Sequence, residues 1–188
     1  MAYDDLIEIL LSNNVYNSLK KNENELLNLI EELKDCYGFN QNTKWHIYDV
    51  YEHILHVIDG VENNLCLRLA ALFHDIGKPL VYSEDEFGVG HFYNHWNESV
   101  KIFKKYQENF RLSNEEIELI INLIFYHDVN MEKISNKDKI KIIDRIGFEN
   151  LWMLFSLKRS DLLAQAPQYH NLINEINKQE QSMSRIKK

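Results

Sequence analysis

Six side chains have the types and the order that metal-assisted chemistry needs: His53, the adjacent pair His74 and Asp75, His95, His127 and Asp161. Five of them sit in or beside apolar runs. His53 lies in YEHILHVI, His74 and Asp75 close LAALFHDIGKP, His127 follows LIINLIFY, and Asp161 stands among leucines in LKRSDLLAQ. The sixth, His95, opens a helical segment. An imidazole or carboxylate buried without a partner costs on the order of several kcal/mol. One buried histidine is usually a satisfied core residue. Six such groups on successive segments point to a shared cation.

Imidazole and carboxylate together suit a divalent ion such as Mn, Fe, Co, Ni or Zn. His74 and Asp75 are neighbours in sequence, so on a helix they diverge by about 100°. They either share one ion at the helix end or hold one ion each. A carboxylate can also bridge two ions, which a neutral imidazole cannot. On this reading the pair is buried because metal satisfies it.

The elements that must carry these residues are helices. Apolar residues recur at i, i+3, i+4 and i+7 almost throughout. The pattern predicts helices over DDLIEILLS, NELLNLIEELKDC, HIYDVYEHILHVIDGV and NLCLRLAALFHDI, the last stopped by Gly77 and Pro79. YGFNQNTK (37–44) is a turn, and Val81 to Phe92 is the least regular segment. Helices resume over YNHWNESVKIFKKYQENF, NEEIELIINLIFYHD, KDKIKIIDRIG, ENLWMLFSLKRSDLLAQ and QYHNLINEINKQEQ. Ser113 with Glu116 makes a capping box, and Ser135 with Asp138 a similar start. The terminal SRIKK is a short basic end expected to fray. No repeat, low-complexity tract or linker interrupts the pattern, so one all-α domain is expected over 1–188.

Composition narrows the function classes. The formal net charge is −8 over 188 residues, which disfavours electrostatic binding of long nucleic acid. Cys36 and Cys66 form no CxxC pair and suit free thiols in a reducing compartment. The N-terminus lacks the basic region of a signal peptide, and no apolar run of about 18 residues suggests a membrane span. A cytoplasmic location is the expectation.

The ordered set His53, His74-Asp75 and Asp161, with HDIGKP at its centre, resembles the HD superfamily of metal-dependent phosphohydrolases. The resemblance is closer to the HD-domain half of bacterial tRNA nucleotidyltransferases and poly(A) polymerases. It rests on ELKDCYGFNQN, HIYDVYEHILHVI, LRLAALFHDIGKP, GVGHFYNHWNES, LSNEEIELIINLI and LKRSDLLAQ, spanning roughly residues 1–166. No Gly-Ser followed by Asp-x-Asp is present, so the resemblance does not imply CCA addition. It implies an all-α HD bundle: a helical lead-in at 1–36, an HD core at 43–165, and a C-terminal helix and tail at 166–188.

The resemblance also assigns roles. His53, His74, Asp75 and Asp161 would hold a first divalent ion (Mn, Ni, Co, Fe, Mg or Zn). His95 and His127 would hold a second, with Asp75 bridging. A metal pair of this kind activates water and clamps a phosphoryl group. Beyond the resemblance, the residues' own chemistry and placement suggest that catalysis would rest on Asp75, on Lys78 at a phosphate oxygen, and on His91 as proton donor to the leaving oxygen. A solvated lysine at a helix end is as good a reading of Lys78, and an exposed loop histidine of His91. The chain departs from its relatives in HFYNHWNES, where Asn94 and Trp96 replace an expected glycine and glutamate around His95. That difference bears on the substrate pocket more than on the ligand. Of the other groups, His56 is expected in the core or as a donor behind His53. Arg159 is expected to be structural, and His46 and His170 to be surface or capping residues. Core packing is expected for Tyr48, Tyr51, Trp96 and Tyr126.

The expected function is therefore hydrolysis of a small nucleotide or other phosphoester. Two other readings fit the same residues. One is a non-catalytic, detached RNA- or partner-binding module, which a complete ligand set argues against. The other is a di-iron HD-fold oxygenase, which iron content and an EPR signal would reveal.

Overall fold

The computed structural model describes residues 1–186 and is a helical bundle with one two-stranded hairpin. Lys187 and Lys188, the end of the basic tail, lie outside the described residues. The lead-in folds as α1 (Tyr3–Leu10), α2 (Val15–Lys21), α3 (Glu23–Leu29) and α4 (Leu33–Cys36). The single helix expected over NELLNLIEELKDC is broken. Ile30 turns to an extended conformation with its side chain fully buried, and Tyr106 Oη accepts the freed Glu31 N–H at 3.2 Å.

The central elements are α5 (Val50–Gly60) and α6 (Leu65–Phe73). Asp49 caps α5 by accepting from Glu52 N at 2.7 Å, and Asn64 caps α6 by accepting from Leu67 N at 3.1 Å. From Cys66 to Phe73 every residue of α6 is buried, because α1, α5 and later helices pack around it. Pro79 does not stop this helix. It sits in the first turn of a short α7 (Lys78–Val81), where its missing N–H costs no hydrogen bond.

The segment expected to be least regular forms the antiparallel hairpin β1 (Ser83–Glu84) and β2 (Gly90–His91). Asp85 closes its turn by accepting from Phe87 N and Val89 N, both at 2.9 Å. Gly90 lies so close to the preceding loop that a Cβ there would meet Gln41 O at 2.2 Å. The hairpin is therefore fixed against residues 41–42.

The second half comprises α8 (His95–Tyr106), α9 (Asn114–Tyr126), α10 (Asn136–Ile146), α11 (Leu151–Leu163) and α12 (Ile173–Ser184). The Ser113–Glu116 capping box and the Ser135 cap form as expected. Helices α8, α9 and α11 complete the ring around α6, and α12 packs on α11. Arg159 is structural, pairing with Glu180 of α12 at 2.6 Å. Both cysteines are free and buried. Among the described residues, no helix is long and apolar enough to cross a membrane.

Candidate metal centre

His74 and Asp75 stand where α6 ends, at the centre of the bundle. What brings other helices to them is a close approach at Gly77. A Cβ on Gly77 would meet His95 O and Ser99 N at 2.6 Å, so only glycine admits the first turn of α8 here. Ser99 Oγ secures the contact, donating to His74 O at 2.8 Å and accepting from Gly77 N at 3.0 Å. Asn94 just before α8 has φ +65°. Asparagine tolerates this left-handed conformation better than other side chains, which explains its presence where relatives are expected to carry glycine.

The geometry divides around the Asp75 carboxylate. Its Oδ2 lies 3.3 Å from both His53 Nε2 and His74 Nε2. Asp161 Oδ1 is 3.1 Å from the same His53 nitrogen. On the other side, Asp75 Oδ1 lies 3.1 Å from His95 Nε2 and 3.6 Å from His127 Nε2, and those two nitrogens are 3.2 Å apart. The six predicted ligands thus form two groups that share Asp75: His53, His74, Asp75 and Asp161, and Asp75, His95 and His127.

These groups fit divalent metal. Ligand atoms about 2.1 Å from a common ion lie roughly 3.0–3.4 Å apart in octahedral or tetrahedral geometry, close to the separations here. The Nε2 atoms of His53 and His74 are buried without a hydrogen-bond partner among the described residues, despite their closeness to carboxylate oxygens. Three of the rings are aimed from behind. Nδ1 of His74, His95 and His127 meets the carbonyls of Ala71 (2.7 Å), Phe92 (2.9 Å) and Ile124 (2.6 Å). A carbonyl requires an N–H there, which leaves each Nε2 lone pair facing the centre.

Burial by itself would raise the Asp75 pKa, but His74, Lys78, His127 and His53 outweigh it and hold the carboxyl well below the usual range. Asp161 is likewise depressed, burial being overcome by His53 and His74. For His53, burial disfavours the charged ring, yet Asp161 and Asp75 raise its pKa overall. The metal-free protein therefore gains stability from protonated His53, fully present below the unfolded pKa and lost as pH rises through the folded one. Both carboxylates are ionised throughout that range. As pH rises above the ordinary histidine value of about 6.5, the metal-free protein is expected to lose stability, while Mn²⁺-loaded protein, with His53 already neutral, does not. Below this window His46 acts in the opposite sense, and above it Lys158 does. Thermal melts with and without chelator test the sign; a metal-free Tm that climbs over this window contradicts it.

Lys78 is not solvated. It is buried, with Nζ 2.6 Å from Asp75 Oδ2, 2.8 Å from Gln41 Oε1 and 3.4 Å from His46 Nε2. His46, expected at the surface or in a cap, lines the cavity over the centre. Burial and the Lys78 ammonium push its pKa down to about 3, so it stays neutral and accepts from Lys78. The signal missed was Asp49 with Glu52, which starts α5 at Val50 and leaves His46 in a loop. His56 is neither core nor behind His53; its ring stacks between Tyr16 and Tyr48. His170 is half-buried, its Nε2 3.1 Å from Gln165 O.

The cavity has a volume of about 630 Å³ and reaches Asp75, Lys78, His95, His127 and Asp161. Trp45, Phe92, Tyr93 and Trp96 supply aromatic wall, and His91 lies on it with Nε2 3.3 Å from Asp85 Oδ2. Tyr51 is core as expected, whereas Trp96 is a wall residue. Sequence reasoning also missed Asp128 on this wall, and Lys158, buried three residues before Asp161. Burial lowers the Lys158 pKa to about 8, opposed by Asp128 and Asp161.

A helical bundle with this His/His-Asp/Asp centre defines a class, and comparison with known proteins agrees. The HD domain family matches residues 43–148, and the chain belongs to that family. It is a superfamily of metal-dependent phosphohydrolases whose domains bind divalent metals. The chain is also similar to the multifunctional CCA protein of Shewanella frigidimarina (strain NCIMB 400), at 28% identity over 129 residues. That match covers 65% of this chain but 30% of the relative's length.

Proposed function

We propose that the chain is a two-metal phosphohydrolase acting on a mononucleotide or a phosphoester of similar size. The observation that carries this reading is the division of the Asp75 oxygens between two sets of imidazoles. Divalent ions held there would offset charge on the phosphoryl oxygens and acidify the attacking water. His53, His74, Asp75 and Asp161 would hold one, and Asp75, His95 and His127 the other.

The remaining chemistry falls to the protein. Lys78 presents an ammonium beside Asp75 at the cavity wall, where it can meet a phosphoryl oxygen. His91 is oriented by Asp85 and faces the same cavity, in place to donate a proton to the leaving oxygen. Trp45 is backed by Tyr169 at 3.8 Å between centroids and Trp96 by the edge of His95 at 5.3 Å, so both present braced rings. Such surfaces suit a single base. The acidic balance and the free, buried thiols favour a small substrate in a reducing, cytoplasmic setting.

The test is phosphate release from nucleoside monophosphates and cyclic nucleotides by chelator-stripped protein reloaded with Mn²⁺ or Ni²⁺. Turnover is expected only after reloading. Trp96→Ala is expected to raise KM about tenfold through lost stacking, with kcat unchanged. Protein that holds two ions yet releases no phosphate from any of these substrates would sink the hydrolase reading.

A further inference from the structure

Lys158 belongs to no ligand set, yet it touches the centre's framework. Its Nζ is buried inside the bundle and donates to His127 O at 2.6 Å and to Val129 O at 2.9 Å. These carbonyls lie where α9 ends, and the last carbonyls of a helix have no partners within it. A cation placed there satisfies them and complements the helix dipole. The same turn aims the His127 ring, because Nδ1 is tied to Ile124 O one turn earlier. Lys158 and Asp161 are three residues apart on α11 and so lie on one face. One helix therefore supplies a ligand to one side of Asp75 and an ammonium to the backbone behind a ligand on the other.

We propose that Lys158 is a positioning residue that locks His127 into the centre, so that the His95–His127 side of Asp75 fills only when α11 is docked on the end of α9. The inference rests on the two-metal reading above. Without the ammonium both carbonyls are left buried and unpaired. The last turn of α9 then loosens, and His95 with Asp75 Oδ1 makes a poor site by itself. The His53, His74 and Asp161 side takes no ligand from α9.

The test is calorimetric titration of stripped full-length protein with Mn²⁺, beside EPR of the loaded protein. Wild type is expected to bind two ions and show a coupled Mn pair. Lys158→Met is expected to bind one ion within threefold of the wild-type affinity and the second at least tenfold more weakly, with the signal of isolated Mn²⁺. If that variant does not fold, Lys158→Gln, which keeps an uncharged amide donor on a shorter side chain, serves in its place with the same expectation. Arg68→Met is the control. Arg68 is also a buried cation on helix-end carbonyls; it lies on α6 six residues before His74, but its partners, Leu10 O and Ser12 O, belong to α1 and the turn after it, which carry no ligand. It is expected to lower Tm and keep both ions. A Lys158 variant that retains both ions, or an Arg68→Met protein that loses the second, overturns the inference alone. A wild-type stoichiometry of one overturns the two-metal reading and this inference with it.

Discussion

Asp75→Ala is expected to abolish binding of both ions and all turnover. Each of its carboxylate oxygens belongs to a different ligand group, so one substitution empties both sides. No neighbour replaces it. Asp161 belongs to only one of the two groups, and the other close groups are imidazoles and an ammonium. The carboxyl is ionised at every working pH, since His74, Lys78, His127 and His53 overcome its burial. Removing it leaves Lys78 buried without its anion, a cost of about 3–5 kcal/mol. Folding must therefore be checked by circular dichroism. Asp75→Asn keeps the shape and one weak oxygen ligand; both ions are expected to bind at least about 100-fold more weakly, beyond the roughly 10–100-fold that losing a partner behind a ligand costs. Calorimetry on stripped protein reads the first effect and phosphate release the second. An Asp75 variant that hydrolyses substrate normally would place the chemistry elsewhere.

Lys78→Met is expected to move metal binding and turnover in opposite directions. The ammonium sits 2.6 Å from Asp75 Oδ2, the oxygen shared with His53 and His74. Two like charges about 4 Å apart repel by roughly 4 kcal/mol at the effective dielectric of a protein interior near its surface. Deleting Lys78 removes this repulsion, so Mn²⁺ affinity is expected to rise at least about tenfold, a conservative fraction of it. Turnover is expected to fall about 100-fold, the effect of losing one donor to developing phosphoryl charge. Stability separates the two states. The metal-free variant leaves Asp75 without its ammonium and is expected to lose about 3 kcal/mol, whereas loaded protein, with cations on the carboxylate, loses much less. Melts with and without chelator measure the gap. A parallel fall in affinity and turnover would make Lys78 a purely structural residue.

The helical carriers were legible because their signals are local. The apolar spacing in LCLRLAALF, the Ser113–Glu116 box and the Ser135 cap each act within a few residues, and each forms as the sequence predicts. Where the structure differs, distant contacts intervene. Ile30 breaks a helical pattern by turning into the core, and the hairpin at 83–91 is pinned by backbone at Gln41 and Asn42. His46 was expected at the surface or in a cap, and Lys78 equally at a phosphate or in solvent, because part of what buries each lies far away in sequence. Each is enclosed partly by the other, across 32 positions of chain.

By itself, the sequence determined which residues are able to ligate metal, their order, and the helices that carry them. Residue chemistry, apolar periodicity and the HD motif are all short-range properties. Only the tertiary structure decided which oxygen of Asp75 faces which imidazoles. It also decided that Gly77 and Ser99 bring α8 against the end of α6, and that a lysine on α11 holds the backbone of His127. Apart from His74 beside Asp75, these arrangements join residues about twenty or more positions apart. Packing of one helix on another sets them, and no local pattern encodes that packing.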